Sequence, residues 1–147
     1  MDMQYFFKVY EQTERQGPGS LEATQKALSY ITNLPENPMV LDMGCGKGAQ
    51  TIPVAKELGG SVIAIDIHKP FLDALETNAK LVNLTDIIKT HQMNMLAPGF
   101  EPETFDVIWA EGSLYLMGID KALHVCHKLL KKGGYLAFTE VVWTNTD

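Results

Sequence analysis

The chain is poor in the features that mark secreted, membrane-spanning or nucleic-acid-binding proteins. Its 147 residues hold two cysteines, Cys45 and Cys126. That is too few for a disulfide scaffold, and with no charged-then-apolar leader pattern at the N-terminus it points to a reducing, cytoplasmic setting. In that setting the tripeptide Asn83-Leu84-Thr85 is a chance glycosylation motif. No apolar run approaches the ~20 residues of a membrane span. Arg15 is the sole arginine, and 12 basic residues against 18 acidic ones leave a net charge of -6. Phosphate-backbone binding relies on clustered Lys and Arg, so neither nucleic acid nor membrane is expected as a partner. Internal repeats and low-complexity segments are also missing.

What is present is the balance of one globular domain, 46% hydrophobic and 20% charged, long enough to bury a core without staples. Met3, Phe6, Phe7 and Tyr10 recur at helical spacing, and the predicted helix ends near Arg15, before the breaker Gly17-Pro18-Gly19-Ser20. Ser20 is a good N-cap for a second helix with Leu21, Ala27, Leu28 and Ile31 on its apolar stripe; Pro35 and Pro38 stop it. From Met39 the texture changes. Short apolar runs at Val40-Leu41, 61–67, 87–90, 105–110 and 135–142 read as five strands, separated by helical patterns over 49–58, 69–82 and 120–131. This alternation predicts an α/β fold, a Rossmann-like doubly wound and mostly parallel sheet. Pro53 fits the first of these helices only in its opening turn, where no N–H is lost. Residues 1–38 read as N-terminal helices forming a cap, and 39–147 as the core.

The stretch Asp42-Met43-Gly44-Cys45-Gly46-Lys47-Gly48 joins the first strand to the next helix. Glycines there let the backbone turn sharply and approach a ligand, and the free N–H groups of a helix start attract oxygen-rich groups. Asp66 follows Asp42 by 24 residues, at the end of the second strand, where a carboxylate can accept from a ribose diol. Glycine loop plus acid describes a nucleoside-binding crevice. Two chemistries fit it: Gly44, Gly46 and Ala49 match a dinucleotide fingerprint, whereas Asp42 is the acid that opens an Asp-x-Gly-x-Gly-x-Gly loop.

Taken together, Val40-Leu41-Asp42-Met43-Gly44-Cys45-Gly46-Lys47-Gly48, Ile63-Ala64-Ile65-Asp66, Phe105-Asp106-Val107-Ile108-Trp109-Ala110-Glu111-Gly112 and Leu129-Leu130-Lys131-Lys132-Gly133-Gly134-Tyr135-Leu136 resemble the class I S-adenosylmethionine-dependent methyltransferases. The likeness is closer to small-molecule enzymes of bacterial type. In these a Trp-Ser/Ala-Glu-Gly segment follows the fourth strand and an Arg-Gln-Gly-Pro-Gly-Ser turn, here Arg15 to Ser20, precedes the core.

The resemblance implies that Gly44, Cys45, Gly46 and Gly48 lie against the methionine part of the cofactor, with Asp42 reaching its amino group directly or through water. It gives the ribose hydroxyls to Asp66 and the adenine surroundings to Gln92 and Met93. Gln92 stands where the family commonly has an acid or a serine, and Leu96-Ala97-Pro98-Gly99-Phe100 replaces the usual Leu-Pro-Phe. Ala110 and Glu111 should border cofactor and substrate. The implied reaction is in-line methyl transfer to a small-molecule acceptor, S-adenosylhomocysteine being the product. A general base is optional, with Glu111 the first candidate, then His91 and Tyr115. Tyr5, Phe6 and Tyr10 are placed to close over a sulfonium, with Arg15 beside them as part of the substrate-facing cap.

No metal is expected. His124, Cys126 and His127 are explained as the two faces of one amphipathic helix, and Cys45 as a small buried residue rather than a nucleophile. Lys128, Lys131 and Lys132 suit a helix C-terminus ahead of a Gly133-Gly134 stop. The family sheet has seven strands, and this chain reaches only a fifth before Asp147, so the sequence reads as C-terminally truncated. Its strand 135–143 is then an apolar edge, expected to pair with another chain as a homo-oligomer or with a missing segment. A nicotinamide-dependent oxidoreductase and a non-catalytic cofactor-binding domain stand as the alternatives.

Overall fold

A computed structural model describes residues 3–142, without the side chains of Met3, Gln4 and Phe6. The expected contribution of Phe6 to a cap, and of Trp143 to an edge strand, thus lie outside the described residues. Five strands, β1 (Met39–Met43), β2 (Ser61–Asp66), β3 (Ile88–Gln92), β4 (Phe105–Glu111) and β5 (Leu130–Thr139), form one sheet in the order β3-β2-β1-β4-β5. Every pairing is parallel. The helices are α1 (Met3–Tyr10), α2 (Leu21–Leu28), α3 (Thr51–Leu58), α4 (Lys69–Leu81) and α5 (Ile119–Leu129). The doubly wound fold expected from the sequence is present.

Burial explains the sheet. All seven residues of β4 are buried and so are four of five in β1, as parallel strands covered on both faces require. Val40, Val62 and Trp109 pack on one face with Val54 of α3 and Leu72 and Leu75 of α4. Leu41, Met43, Ile65 and Ile108 pack on the other with Ala122, Cys126 and Leu129 of α5. Each fully buried aliphatic chain contributes about 1.5–3 kcal/mol, so the register of β1 against β2 and β4 is strongly specified. The strand order reverses between β1 and β4, and a crevice opens there at the carboxyl edge.

Several boundaries differ from expectation, each for a local reason. Helix α1 stops at Tyr10 because the next carbonyls are taken: Lys47 Nζ donates to Glu11 O and Thr13 O, and Thr13 Oγ1 to Tyr10 O. Ser20 does cap α2, accepting from Ala23 N at 3.2 Å, but the helix ends at Leu28. Pro53 is the third residue of α3, within the opening turn. Strand β5 begins at Leu130, directly after α5, and Gly133-Gly134 lies inside it at a register shift rather than stopping the helix. Lys131 accordingly reaches Asp106 Oδ2 at 2.9 Å instead of facing a helix terminus. The strand ends at Thr139, and Val141 and Val142 lie exposed beyond it. A single 3-10 turn at Leu114–Met117, unexpected from the sequence, follows β4.

Candidate cofactor site

The cleft lies over the ends of β1, β2 and β4 and encloses roughly 780 Å³, its open mouth included. Its floor is the glycine loop. Gly44 N and Cys45 N donate to Ile65 O at 2.9 and 3.0 Å, folding the loop onto the end of β2. Gly44 and Gly46 have φ of +75° and +54°, the left-handed region that costs other residues roughly 1–2 kcal/mol. A Cβ on Gly44 would stand 2.6 Å from Ser113 Cβ, and one on Gly46 2.6 Å from Gln16 Oε1. Gly48, expected to touch the ligand, faces the core instead: its Cβ would lie 2.2 Å from Leu75 Cδ1, so that glycine lets α4 approach the loop.

Asp42, also expected at the ligand, sits on the same core-facing side of the loop. It is fully buried beneath the loop and is not among the cleft-lining residues. Its Oδ2 accepts from Thr51 Oγ1 at 2.6 Å, and both its oxygens face Gln50 Nε2 at 3.3 Å. The carboxylate therefore ties the start of α3 to β1. Burial pushes its pKa up to about 7; the Thr51 and Gln50 hydrogen bonds oppose the shift, and the charges of Glu111 and Asp66 add to it. Gln50, which reaches the cleft, links Asp42 to its lining.

Asp66 is where the sequence places it, lining the cleft at the end of β2. Its Oδ2 accepts from Gly46 N at 3.0 Å and its Oδ1 from His68 N at 2.9 Å, which aims the carboxylate across the loop. Burial raises its pKa, with the two backbone donors opposing. Beside it Ile67, Phe71, Met93 and Met95 form an apolar wall. Met93 was expected there; Gln92 is exposed and donates from Nε2 to Ile67 O at 2.9 Å, outside the lining. Cys45 lines the floor as expected, the pKa of its thiol pushed up by burial.

On the β4 side Glu111, Gly112, Ser113, Tyr115 and Leu116 complete the lining, whereas Ala110 is fully buried within the sheet and does not reach it. Glu111 is the sequence's first candidate base, yet both its oxygens are engaged. Oε1 accepts from Thr24 Oγ1 at 2.7 Å and from Trp109 Nε1 at 2.9 Å, and Oε2 pairs with Arg15. His91 is exposed on β3, away from the cleft.

The roof is the N-terminal segment, with Phe7, Tyr10, Gln16 and Gly17 over the loop. Gln16 Oε1 accepts from Lys47 N at 2.9 Å, and the Phe7 ring stacks on His68 with centroids 3.9 Å apart. Tyr10 joins the cleft as expected, while Tyr5 is 70% exposed and outside it. Arg15 is outside the lining and pairs with Glu111. Among the described residues no cluster of His, Cys, Asp and Glu could hold a metal, and no helix is long and apolar enough to cross a membrane. Gln16, Gln50, Phe71, Met95 and Ser113 were not assigned to the site from the sequence: Gln16 stands in the Arg15 to Ser20 turn and Phe71 in the helical pattern over 69–82, while Gln50, Met95 and Ser113 carry no motif.

A glycine loop facing an acid at the switch point of a 3-2-1-4-5 sheet is matched by a family model described as a methyltransferase domain, over residues 41–138. The chain belongs to the class I S-adenosylmethionine-dependent methyltransferase family. The match sets the oxidoreductase alternative aside. Among relatives of this methyltransferase domain, a sterol 24-C-methyltransferase of Saccharomyces cerevisiae is 28% identical over 87% of this chain and 33% of its own length. The aklanonic acid methyltransferase DauC of a Streptomyces species is 34% identical over 71% of this chain and 48% of its own. A methyltransferase from Geobacter sulfurreducens, solved with S-adenosyl-L-homocysteine, shares the fold with a TM-score of 0.77 at 19% identity, covering 91% of this chain and 54% of that one. The chain thus spans about a third to a half of the length of these relatives.

Proposed function

We propose that the cleft binds S-adenosylmethionine and that the domain transfers its methyl group to a small-molecule acceptor. The observation that carries this reading is the Asp66 carboxylate, held across the glycine loop by Gly46 N at 3.0 Å, in a domain of this family. The residues fit the cofactor. Asp66 accepts from the ribose hydroxyls, Ile67, Phe71 and Met93 flank the adenine, and Gly44 to Gly46 lie close to the methionine part. The lining contains the carboxylate of Asp66 and that of Glu111, the latter paired with Arg15, and among the described residues no Lys, Arg or His, so Asp66 is the charge that favours a cation.

When bound, the cofactor supplies an electrophilic methyl group on a sulfonium, displaced in line by the acceptor. The chain's part is to align and to exclude water, which is worth up to about 7–11 kcal/mol in well-oriented reactions. Tyr10, Ser113, Tyr115 and Leu116 border the acceptor side and close it to solvent. None of the three base candidates is assigned a proton: Glu111 is committed to Arg15, Thr24 and Trp109, His91 is remote, and burial raises the pKa of the Tyr115 phenol, which keeps it protonated. We read residues 1–38 as a cap on the core 39–147, and the two buried free thiols as suited to a reducing, cytoplasmic setting. The apolar edge of β5 is the surface through which another strand or a second copy would add.

Calorimetric titration with S-adenosylhomocysteine tests this, with NADH as control. Saturable binding that Asp66→Ala weakens is expected. No binding by the folded chain, or binding of NADH alone, would contradict it. Binding without methyl transfer across a broad acceptor panel would favour a non-catalytic domain.

A further inference from the structure

Three loops leave the carboxyl ends of β1, β2 and β4, and each grips the N-terminal segment differently. Lys47 Nζ donates to two backbone carbonyls, Glu11 O and Thr13 O. His68 Nε2 lies 2.7 Å from Glu11 Oε1, whose side chain is 37% exposed. On the third side, Glu111 pairs with Arg15, the two side chains only 5% and 21% exposed. We propose that this third contact is the clasp that sets the roof over the cleft, making Glu111 a positioning residue for methyl transfer rather than its base. The proposal rests on the reading of the cleft as a cofactor site.

The argument is one of charge and access. A buried carboxylate needs compensation, and Thr24 and Trp109 supply only neutral donors; Arg15 is the one cation among Glu111's partners. The backbone around the pair is shaped to admit it. A Cβ on Gly19 would lie 3.1 Å from Arg15 Nη2 and 3.2 Å from Glu111 Oε2, one on Gly17 3.3 Å from Glu111 O, and one on Gly112 2.9 Å from Pro18 Cδ. Gly19 and Gly112 also have φ of +134° and +62°. The turn from Arg15 to Ser20 therefore docks face-on against the end of β4. Gln16 and Gly17, the residues that follow Arg15, reach the cleft beside Phe7 and Tyr10, so the clasp connects directly to the site. Thr24 extends it to α2, which makes one carboxylate the meeting point of the turn, α2 and β4.

The test measures S-adenosylhomocysteine affinity by calorimetry, and amide hydrogen exchange over residues 7–17, in the full chain and in Arg15→Gln, Arg15→Lys, Glu111→Gln and the double Arg15→Gln/Glu111→Gln variants. Both single glutamine variants should weaken binding about tenfold, and the double variant should be no worse than either, because coupled residues lose one shared interaction. Arg15→Lys, which keeps the charge, should rescue most of the affinity. Exchange over 7–17 should accelerate about tenfold in the glutamine variants while amides of β1 and β4 stay unchanged. A folded Arg15→Gln protein with unaltered affinity and exchange would overturn the proposal, and so would a loss confined to Glu111→Gln, which would mean that Glu111 meets the ligand itself. If the unmodified chain binds no S-adenosylhomocysteine, the cofactor reading fails, and the exchange over 7–17 still decides whether the clasp holds the roof.

Discussion

The floor and the roof of the cleft are held by different physics. The floor consists of loops that leave β1, β2 and β4, strands with buried aliphatic residues on both faces of the sheet. The roof is an eight-residue helix and a turn, with exposed Tyr5, Lys8 and Val9, fastened chiefly by hydrogen bonds and ion pairs, with one ring stack of Phe7 on His68. A floor anchored by the core can move only if the domain unfolds, whereas a roof on polar latches opens at a small fraction of the total stability. That arrangement suits a ligand that must enter, be shielded and leave.

The comparison can be broken most severely at the floor. Gly48→Ala places a Cβ 2.2 Å from Leu75 Cδ1 at a φ of +87°, and overpacking together with a left-handed alanine should cost about 2–4 kcal/mol, read by thermal or urea unfolding. A change at Gln16, whose Oε1 accepts from Lys47 N from the roof side, should barely move that unfolding. Next in size, Asp66→Ala should leave stability nearly unchanged and weaken S-adenosylhomocysteine about 10- to 100-fold, the range for a charged hydrogen bond of about 1.5–3 kcal/mol.

Asp42 sharpens the contrast through pH. Burial raises its pKa from 3.8 to about 7, so between those values the folded chain holds a proton that the unfolded chain has lost. Its contribution to stability is full below pH 3.8 and disappears as pH rises through about 7, at up to about 1.4 kcal/mol per unit. Unfolding midpoints taken from pH 5 to pH 8 should fall less steeply in Asp42→Asn than in the unmodified chain; parallel slopes would show that Asp42 is not the titrating group. A smaller effect is expected of Lys47→Met, which loses the two carbonyl contacts: faster exchange over residues 11–17 with affinity reduced about two- to fivefold, as for a hydrogen bond worth about 0.5–1 kcal/mol. Tyr5→Ala, at a side chain 70% exposed, should change neither binding nor stability measurably.

The same division explains what could be read in the sequence. Strands β1, β2 and β4 and the three core helices announce themselves by apolar periodicity because burial fixes them, and the glycine loop and Asp66 are visible because a tight turn and a strand-end acid leave local signatures. Asp42 and Gly48 belong to the same motif, yet their side of the loop faces the core, and a motif does not say which way each member points. The roof's contacts were not legible. Arg15 and Glu111 each stand in a recognisable segment, but they meet across 96 residues of chain, and a pairing at that distance has no local pattern. Nor did the start of β5 show itself, since Lys131-Lys132-Gly133-Gly134 reads as a helix terminus until Asp106 is seen beside Lys131.

The most direct test of a core-anchored floor beneath a latched roof is amide hydrogen exchange of the full chain with and without S-adenosylhomocysteine. The account predicts that, without ligand, residues 7–17 exchange orders of magnitude faster than β1 and β4. With ligand, protection should rise over 7–17, the glycine loop, the end of β2 and residues 111–116, and should leave β3 and the outer edge of β5 unchanged. Saturable binding that protects neither the roof nor the glycine loop would contradict it.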